Sequence, residues 1–354
     1  MINKVRYLEN GYVDVRYLIE NTNTFTWCTG GRGTGKTYGA CKYLAEEYSN
    51  NKDGRMFIYL RRRDTEAESV STQETNPFTD LTTVKGSKWY KKEPPFKPES
   101  TGSKGGSITA FRSTETGEIA GYLLALSTFY KVKSIPFPKV DLIVYDEFIG
   151  MKGTRKIKSE YDVFNTMYET VNRNRELNGV KACKLIAFSN SENIGNPIYI
   201  GMNIVDNVLL MQKENKEVLH FNDRYLSIVI LRDSPISIKK QKTALYMLNK
   251  DSNFNRVSLN NDFLYDDRYV KSKNLGGYVP YLNVGELIVY RHKTNGDYYI
   301  KAGKNKGIRT YLSTDEDLKR FQTLETRLLH AYINQRVTFE TYEAQTIFLI
   351  YWDF

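Results

Sequence analysis

Gly30, Gly31, Arg32, Gly33, Thr34, Gly35, Lys36 and Thr37 follow one another in the pattern Gly-x-x-x-x-Gly-Lys-Thr, a combination that holds phosphate groups. The glycines let the backbone curl until several N–H groups face one cavity, and the positive end of a following helix adds to their pull on anionic oxygens. In such a loop Lys36 would reach the β- and γ-phosphates of ATP, and the Thr37 hydroxyl would ligate Mg2+. A second pair, Asp146 and Glu147, closes the apolar run that starts at Val140. The first acid of such a pair can hold magnesium and the second can polarise an attacking water, so Asp146 is the expected metal residue and Glu147 the expected base.

These groups work only if strands and helices deliver them to one place. Residues 24–29 are short, apolar and β-prone, and residues 38–48 can continue as a helix, which gives the loop its strand-loop-helix setting. Arg55 to Leu60 reads as a second buried strand that runs into Arg61-Arg62-Arg63, at the carboxyl end where open α/β sheets bind ligands. Lys184 to Asn190 reads as another, ending in Ser189 and Asn190, which would set a hydroxyl or amide near the γ-phosphate; both are sensor candidates, with a plain strand-ending turn as the alternative. The distance in sequence from Lys36 to Asp146 leaves room for an intervening strand, as in the additional-strand branch of P-loop NTPases that carries a catalytic glutamate. A helix over residues 159–178 carries Arg173 and Arg175, which diverge because they are two positions apart. Arg173 is the expected arginine finger, with an ion-pairing surface arginine as the alternative.

Around this frame, residues 1–22 are expected to wrap the nucleotide domain, and residues 64–104 to form a helix and then a loop rich in Pro, Gly and Ser. A hairpin follows over Ser107–Arg112 and Ile119–Leu126, with further strands at Asn207–Gln212 and Tyr225–Leu231. Pro235 and the basic run Lys239-Lys240-Gln241-Lys242 mark a change of character, so residues 233–265 read as a linker domain between a P-loop ATPase domain over 1–232 and a β-rich domain over 266–354. The last domain shows strands near Gly277–Asn283, Glu286–Tyr290 and Tyr298–Ala302, a helix capped from Ser313, and an apolar ending, Ile347–Trp352, that is expected to be buried.

The sequence carries 51 basic against 41 acidic side chains in 354 residues, a formal charge of +10 that suits a polyanionic partner. The excess is clustered around Trp89 and Tyr90 and again at Lys152, Arg155, Lys156 and Lys158; Lys152, Arg62 and Lys91 are the expected DNA contacts. Three cysteines without CxxC spacing and three scattered histidines support neither a disulfide framework nor a zinc site. No signal peptide and no apolar run near the roughly 20 residues that cross a bilayer are visible, so a cytosolic protein without membrane contact is expected.

The ordered set of Gly30–Thr37, Ile58–Arg62, Leu142–Phe148, Arg173-Asn174-Arg175-Glu176 and Leu185–Asn190 resembles the genome-packaging ATPases of small phi-twenty-nine-like podoviruses, over most of the first 230 residues. The resemblance implies a homo-oligomeric ring ATPase, pentameric in that family, that docks on the portal vertex of a procapsid and drives double-stranded DNA inside. It places the protein in the host cytoplasm, attached to the procapsid while it works and absent from the mature virion. It also implies that Arg173 acts on the neighbouring subunit's nucleotide, together with Lys133, which occupies the family's basic position before the Asp146 strand. Family members can dock on a structural packaging RNA, which makes RNA a further candidate partner. In related large terminases the carboxyl-terminal region is an RNase H-like nuclease. Here the expected first strand, Tyr278–Leu282, has no acid, so a nuclease-inactive docking domain is expected. The competing readings are a helicase-like translocase, a small-molecule P-loop kinase and a nucleic-acid-binding or portal-docking module without catalysis.

Overall fold

A nine-stranded sheet organises the first of two units in the computed structural model, which describes residues 1–50, 53–101, 108–150, 157–232, 234–263 and 269–352. Its strands in chain order are β1 Phe25–Gly30, β2 Met56–Arg61, β3 Phe96–Thr101, β4 Ile108–Ser113, β5 Ile119–Ala125, β6 Val140–Asp146, β7 Lys184–Ser189, β8 Val218–Phe221 and β9 Leu226–Leu231. They lie in the order β3-β4-β5-β2-β6-β7-β1-β9-β8. From β5 to β9 every neighbouring pair is parallel; β3, β4 and β8 run antiparallel to their neighbours, at the two edges. A parallel sheet is covered on both faces, which is why β6, β7 and β9 are continuous apolar runs without alternation. One face packs Cys28, Val144 and Ile186 with Ala40 and Leu44 of the helix Lys36–Tyr48. On the other, Trp27 meets Phe148 and Phe164 edge-on, Phe164 coming from the helix Glu160–Asn172.

The expected hairpin is present as β4 and β5, and the stretch expected to be loop contributes a strand as well. Phe96 of β3 packs in a cluster with Phe57, Phe78 and Phe111, ring centroids 4.8 Å apart for Phe78 and Phe96. Aromatic contacts of this kind contribute about 1 kcal/mol each beyond the area they bury. β3 is an edge strand, which is where Pro98 can be accommodated without a missing ladder bond in the interior. Residues 64–83 form only two short helices, Asp64–Glu68 and Asp80–Thr83. The expected strand Asn207–Gln212 is instead part of a helix, Val205–Lys213. Val205, Val208 and Leu209 are buried, a helical spacing that a short apolar window disguises as a strand.

The structure divides the chain into Met1–Asn193 with Met211–Leu264, and Ile194–Leu210 with Tyr265–Phe354. Residues 234–263, read in sequence as a separate linker, group with the first unit because they bond to the P-loop strand: Ser258 O accepts from Arg32 N and Asn261 Nδ2 donates to Thr29 O, both at 3.0 Å. The second unit has a five-stranded sheet of β10 Tyr278–Val284, β11 Leu287–His292, β12 Tyr298–Ala302, β13 Arg309–Tyr311 and β14 Val337–Phe339. β10, β11 and β12 form an antiparallel meander, with β13 parallel beside β10 and β14 parallel beside β12. The apolar ending lies in the helix Tyr342–Tyr351, and Ile347, Phe348 and Trp352 fill this unit's core. The helix expected to be capped by Ser313 is capped by Thr314, whose side chain accepts from Asp317 N.

Arg62 is not available to DNA. It is 4% exposed and makes a bidentate pair with Glu160, both bonds 2.7 Å, on the sheet face that carries the helix Glu160–Asn172. Alternation along β2 turns Arg61 and Arg62 to opposite faces, so the second arginine of the run goes into the protein. Arg62→Ala would strand the Glu160 carboxylate inside, and a loss of about 3–5 kcal/mol is expected for breaking such a buried pair. Urea unfolding measures it; an unchanged midpoint would contradict the buried pairing.

Candidate nucleotide site

The parallel registers decide where the chemistry assembles. Thr29 of β1 is level with Ser189 of β7, Asp146 of β6 with Phe188 of β7, and Arg61 of β2 with Asp146. The carboxyl ends of four strands therefore emerge along one edge, with β7 between β1 and β6, and the loop Gly31–Gly35 rises from the same edge into the helix Lys36–Tyr48. Gly35 holds φ at 93°, a left-handed turn that a side chain would resist, and a Cβ there would come within 2.9 Å of Tyr12 Cβ.

Thr37 joins the two motifs. Its hydroxyl lies 3.1 Å from Asp146 Oδ1 and 3.2 Å from Oδ2, so the threonine after the P-loop lysine and the first acid of the pair share one spot. Asp146 is 3% exposed and also accepts from Tyr59 OH at 2.6 Å and Arg61 Nη1 at 3.0 Å. A carboxylate this deep is tolerable only when so well satisfied. Arg61 Nη2 reaches Glu147 Oε2 as well, so one guanidinium spans both acids. Glu147 has φ 59° and a side chain 52% exposed: the chain turns sharply after β6 and lifts this carboxylate off the edge. A non-glycine residue held there costs about 1 kcal/mol or more, a strain typical of sites where geometry matters to function.

Lys36 is buried with its ammonium on Gly30 O (2.9 Å) and Gly31 O (2.8 Å), and Asn190 Oδ1 accepts from it at 3.3 Å. Burial pushes its pKa down to about 8, against the opposing pull of Cys28, Asp146 and Glu147. Ser189 is engaged elsewhere, accepting from Ile149 N at 3.2 Å and so fixing the segment that follows the acidic pair. The residues fit a nucleotide with magnesium on grounds of the site itself. The backbone N–H groups of Gly33, Thr34 and Gly35 have no hydrogen-bond partner among the described residues, and Thr37 and Asp146 offer the hard oxygen donors magnesium takes.

Other expected residues stand apart from this cluster. Arg173 ends the helix Glu160–Asn172 with φ 46° and is exposed; among the described residues its Nε donates to Thr170 O, in its own turn. Arg175 is tied to Pro138 O at 2.8 Å. Lys133 is exposed in the loop between Lys131 and β6. Lys91 lies in an exposed turn with Nζ 5.5 Å from the Tyr90 ring centroid, whereas Trp89, expected to help a nucleic-acid patch, is a core residue, and Lys88 and Lys97 are paired with Glu115 and Glu93. Lys152 lies outside the described residues. Sequence reasoning missed Tyr59 and, within the arginine run it set at the ligand-binding edge, singled out Arg62 rather than Arg61. The alternation of β2 could have found Tyr59 and Arg61: both point to the face of Phe57, which is also that of the P-loop helix.

One pH dependence follows. Lysine in an unfolded chain titrates near 10.5, so between about pH 8 and that value the unfolded chain binds more protons at Lys36, and raising the pH stabilises the fold. Without nucleotide, the wild type should gain stability relative to Lys36→Met as pH rises through this window, read as the difference of unfolding midpoints. Parallel profiles would sink the buried-ammonium assignment.

Residues 106–343 match the family model "Podovirus DNA encapsidation protein (Gp16)". The DNA packaging protein of Bacillus phage phi29 is 26% identical over 86% of this chain and 82% of its own length, and that of Bacillus phage PZA is 28% identical over the same shares. Among solved structures, the Phi-28 gp11 DNA packaging motor superposes with a TM-score of 0.65 at 19% identity over 98% of this chain and 99% of that one. The bacteriophage Phi-29 genome packaging motor assembly gives 0.62 at 21% identity over 95% and 97%. These likenesses extend the fold to both units, and the family match spans the acidic pair, the helix before Arg173 and most of the second sheet. The chain therefore belongs to the podovirus DNA encapsidation protein family.

Proposed function

We propose that this chain is the motor subunit that hydrolyses ATP to drive double-stranded viral DNA into a procapsid. The observation that carries the reading is the contact of Thr37 with Asp146 beside the Lys36 ammonium, in a chain of the DNA encapsidation family. Lys36 and the N–H groups of Gly33 to Gly35 would hold the phosphates; Thr37 and Asp146 would hold magnesium, which neutralises charge on the phosphate oxygens when bound. Glu147 orients the attacking water and takes its proton, and Arg61 fixes the positions of both acids. Asn190, already on the Lys36 ammonium, reports the state of the phosphates to β7. The position of β7 between β1 and β6 supports the reading as an additional-strand, catalytic-glutamate P-loop NTPase.

The neighbouring copy completes the site with its exposed Arg173 and Lys133, in a ring, pentameric as the family resemblance implies, that docks on the portal vertex in the host cytoplasm. Arg173 suits that role because it is exposed, its guanidinium bonds within its own turn, and its backbone is held in a strained conformation. Lys91 and Lys152 serve DNA by gripping phosphates, since a packaging motor must accept every sequence. A packaging RNA is a further docking partner. Hydrolysis should rise steeply with protein concentration and with double-stranded DNA, and Arg173→Ala should cut the assembled rate by about three to five decades while nucleotide binding persists. Turnover independent of both concentration and DNA would favour a small-molecule kinase; stimulation by single strands alone would favour a helicase-like motor.

The second unit reads as an RNase H-like domain without nuclease chemistry. β10 holds no acid, and its buried polar side chain, Asn283, is spent on Asn305 O and Thr310 Oγ1. The buried Glu325 is committed to Tyr281, Tyr311 and Arg309. Two-metal cleavage needs several carboxylates free to converge. The purified protein is expected to leave plasmid DNA intact with Mn2+ or Mg2+; nicking that vanishes on chelation would reverse this assignment.

A further inference from the structure

We propose that Lys240, on the helix Pro235–Lys240 and outside the P-loop motif, is a second cation of the nucleotide site that contacts the phosphates of a bound nucleoside triphosphate from within the same subunit. The proposal rests on the nucleotide reading above and adds a residue to it. Lys240 Nζ donates to Arg32 O at 2.5 Å, in the middle of the phosphate loop. A Cβ on Gly33 would lie 2.6 Å from that Nζ but 3.6 Å from Cε, so it is the charged end of the side chain, not its stem, that faces the loop. Gly33, at φ 70°, leaves the space the ammonium uses.

The ammonium is placed by packing. Tyr246, 6% exposed, sets its ring 5.2 Å from Nζ, and Ser258 of the helix Asn253–Asn260 and its C-cap Asn261 bond to Arg32 and Thr29. Neither of these two partners of the ammonium, a carbonyl and a ring, carries a formal negative charge. Lys36 brings a second ammonium to the carbonyls of Gly30 and Gly31, and the N–H groups of Gly33 to Gly35 add three more donors. Both cations rest on neutral carbonyls and the three N–H donors have no partner among the described residues, and a polyphosphate is a ligand that meets them all. Moving Nζ from Arg32 O to a phosphate oxygen exchanges a neutral acceptor for an anionic one, so that an ion pair replaces a bond to a dipole.

The test is equilibrium titration of the full chain with a fluorescent ATP analogue, with and without magnesium. Lys240→Ala should weaken binding by about ten- to a hundredfold, the worth of a hydrogen bond to a charged group, and Lys240→Arg should recover most of it. Lys240→Met, which keeps most of the side chain's length without its charge, should show the same loss while the chain stays folded. Affinity within about twofold of wild type in both neutral variants would overturn the proposal and leave Lys240 a brace of the loop. Lys36→Ala is the separate control: if it too binds like wild type, the nucleotide reading itself has failed.

Discussion

The bond between Thr37 and Asp146 is the point on which the first unit turns. It connects a residue at the start of a helix to a residue at the end of a strand two places away in the sheet, and it forms only because β1, β7 and β6 run parallel and stop level with one another. A strand reversed or slipped by one residue would turn Asp146 to the other face. The cost of holding a carboxylate there is offset by Thr37, Tyr59 and Arg61, three donors from two further elements. Apolar packing on both sheet faces fixes the strands, and the strands fix the acid.

Charge is distributed by role across this unit. Lys36, Arg61 and Arg62 are buried or nearly so, and each is matched to carbonyls or carboxylates that hold it in place. Arg173 and Lys133 are exposed and paired with no acid among the described residues, which suits groups that act on a neighbour. A buried cation serves one geometry; an exposed one is free to meet a second molecule. The proposed dependence of hydrolysis on assembly comes from that difference.

Residues 234–263 extend the nucleotide site beyond its motifs. Lys240, Ser258 and Asn261 all bond to the stretch from Thr29 to Arg32, so a change in the loop's backbone is felt in this segment directly.

The sequence by itself determined the phosphate loop, the acidic pair, the buried parallel strands that deliver them and the family, because each is local: a loop conformation needs its own glycines, and a strand buried on both faces declares itself as an apolar run. It also named Asn190, which lies on Lys36. Only the tertiary structure decided which arginine of Arg61-Arg62-Arg63 faces the acids, that Trp89 is core, that Val205–Lys213 is a helix and that residues 234–263 belong with the P-loop. Those outcomes depend on which face of a strand is covered and on what covers it. Both are set by residues far away in the chain, as when Glu160 takes Arg62 and leaves Arg61 to the site.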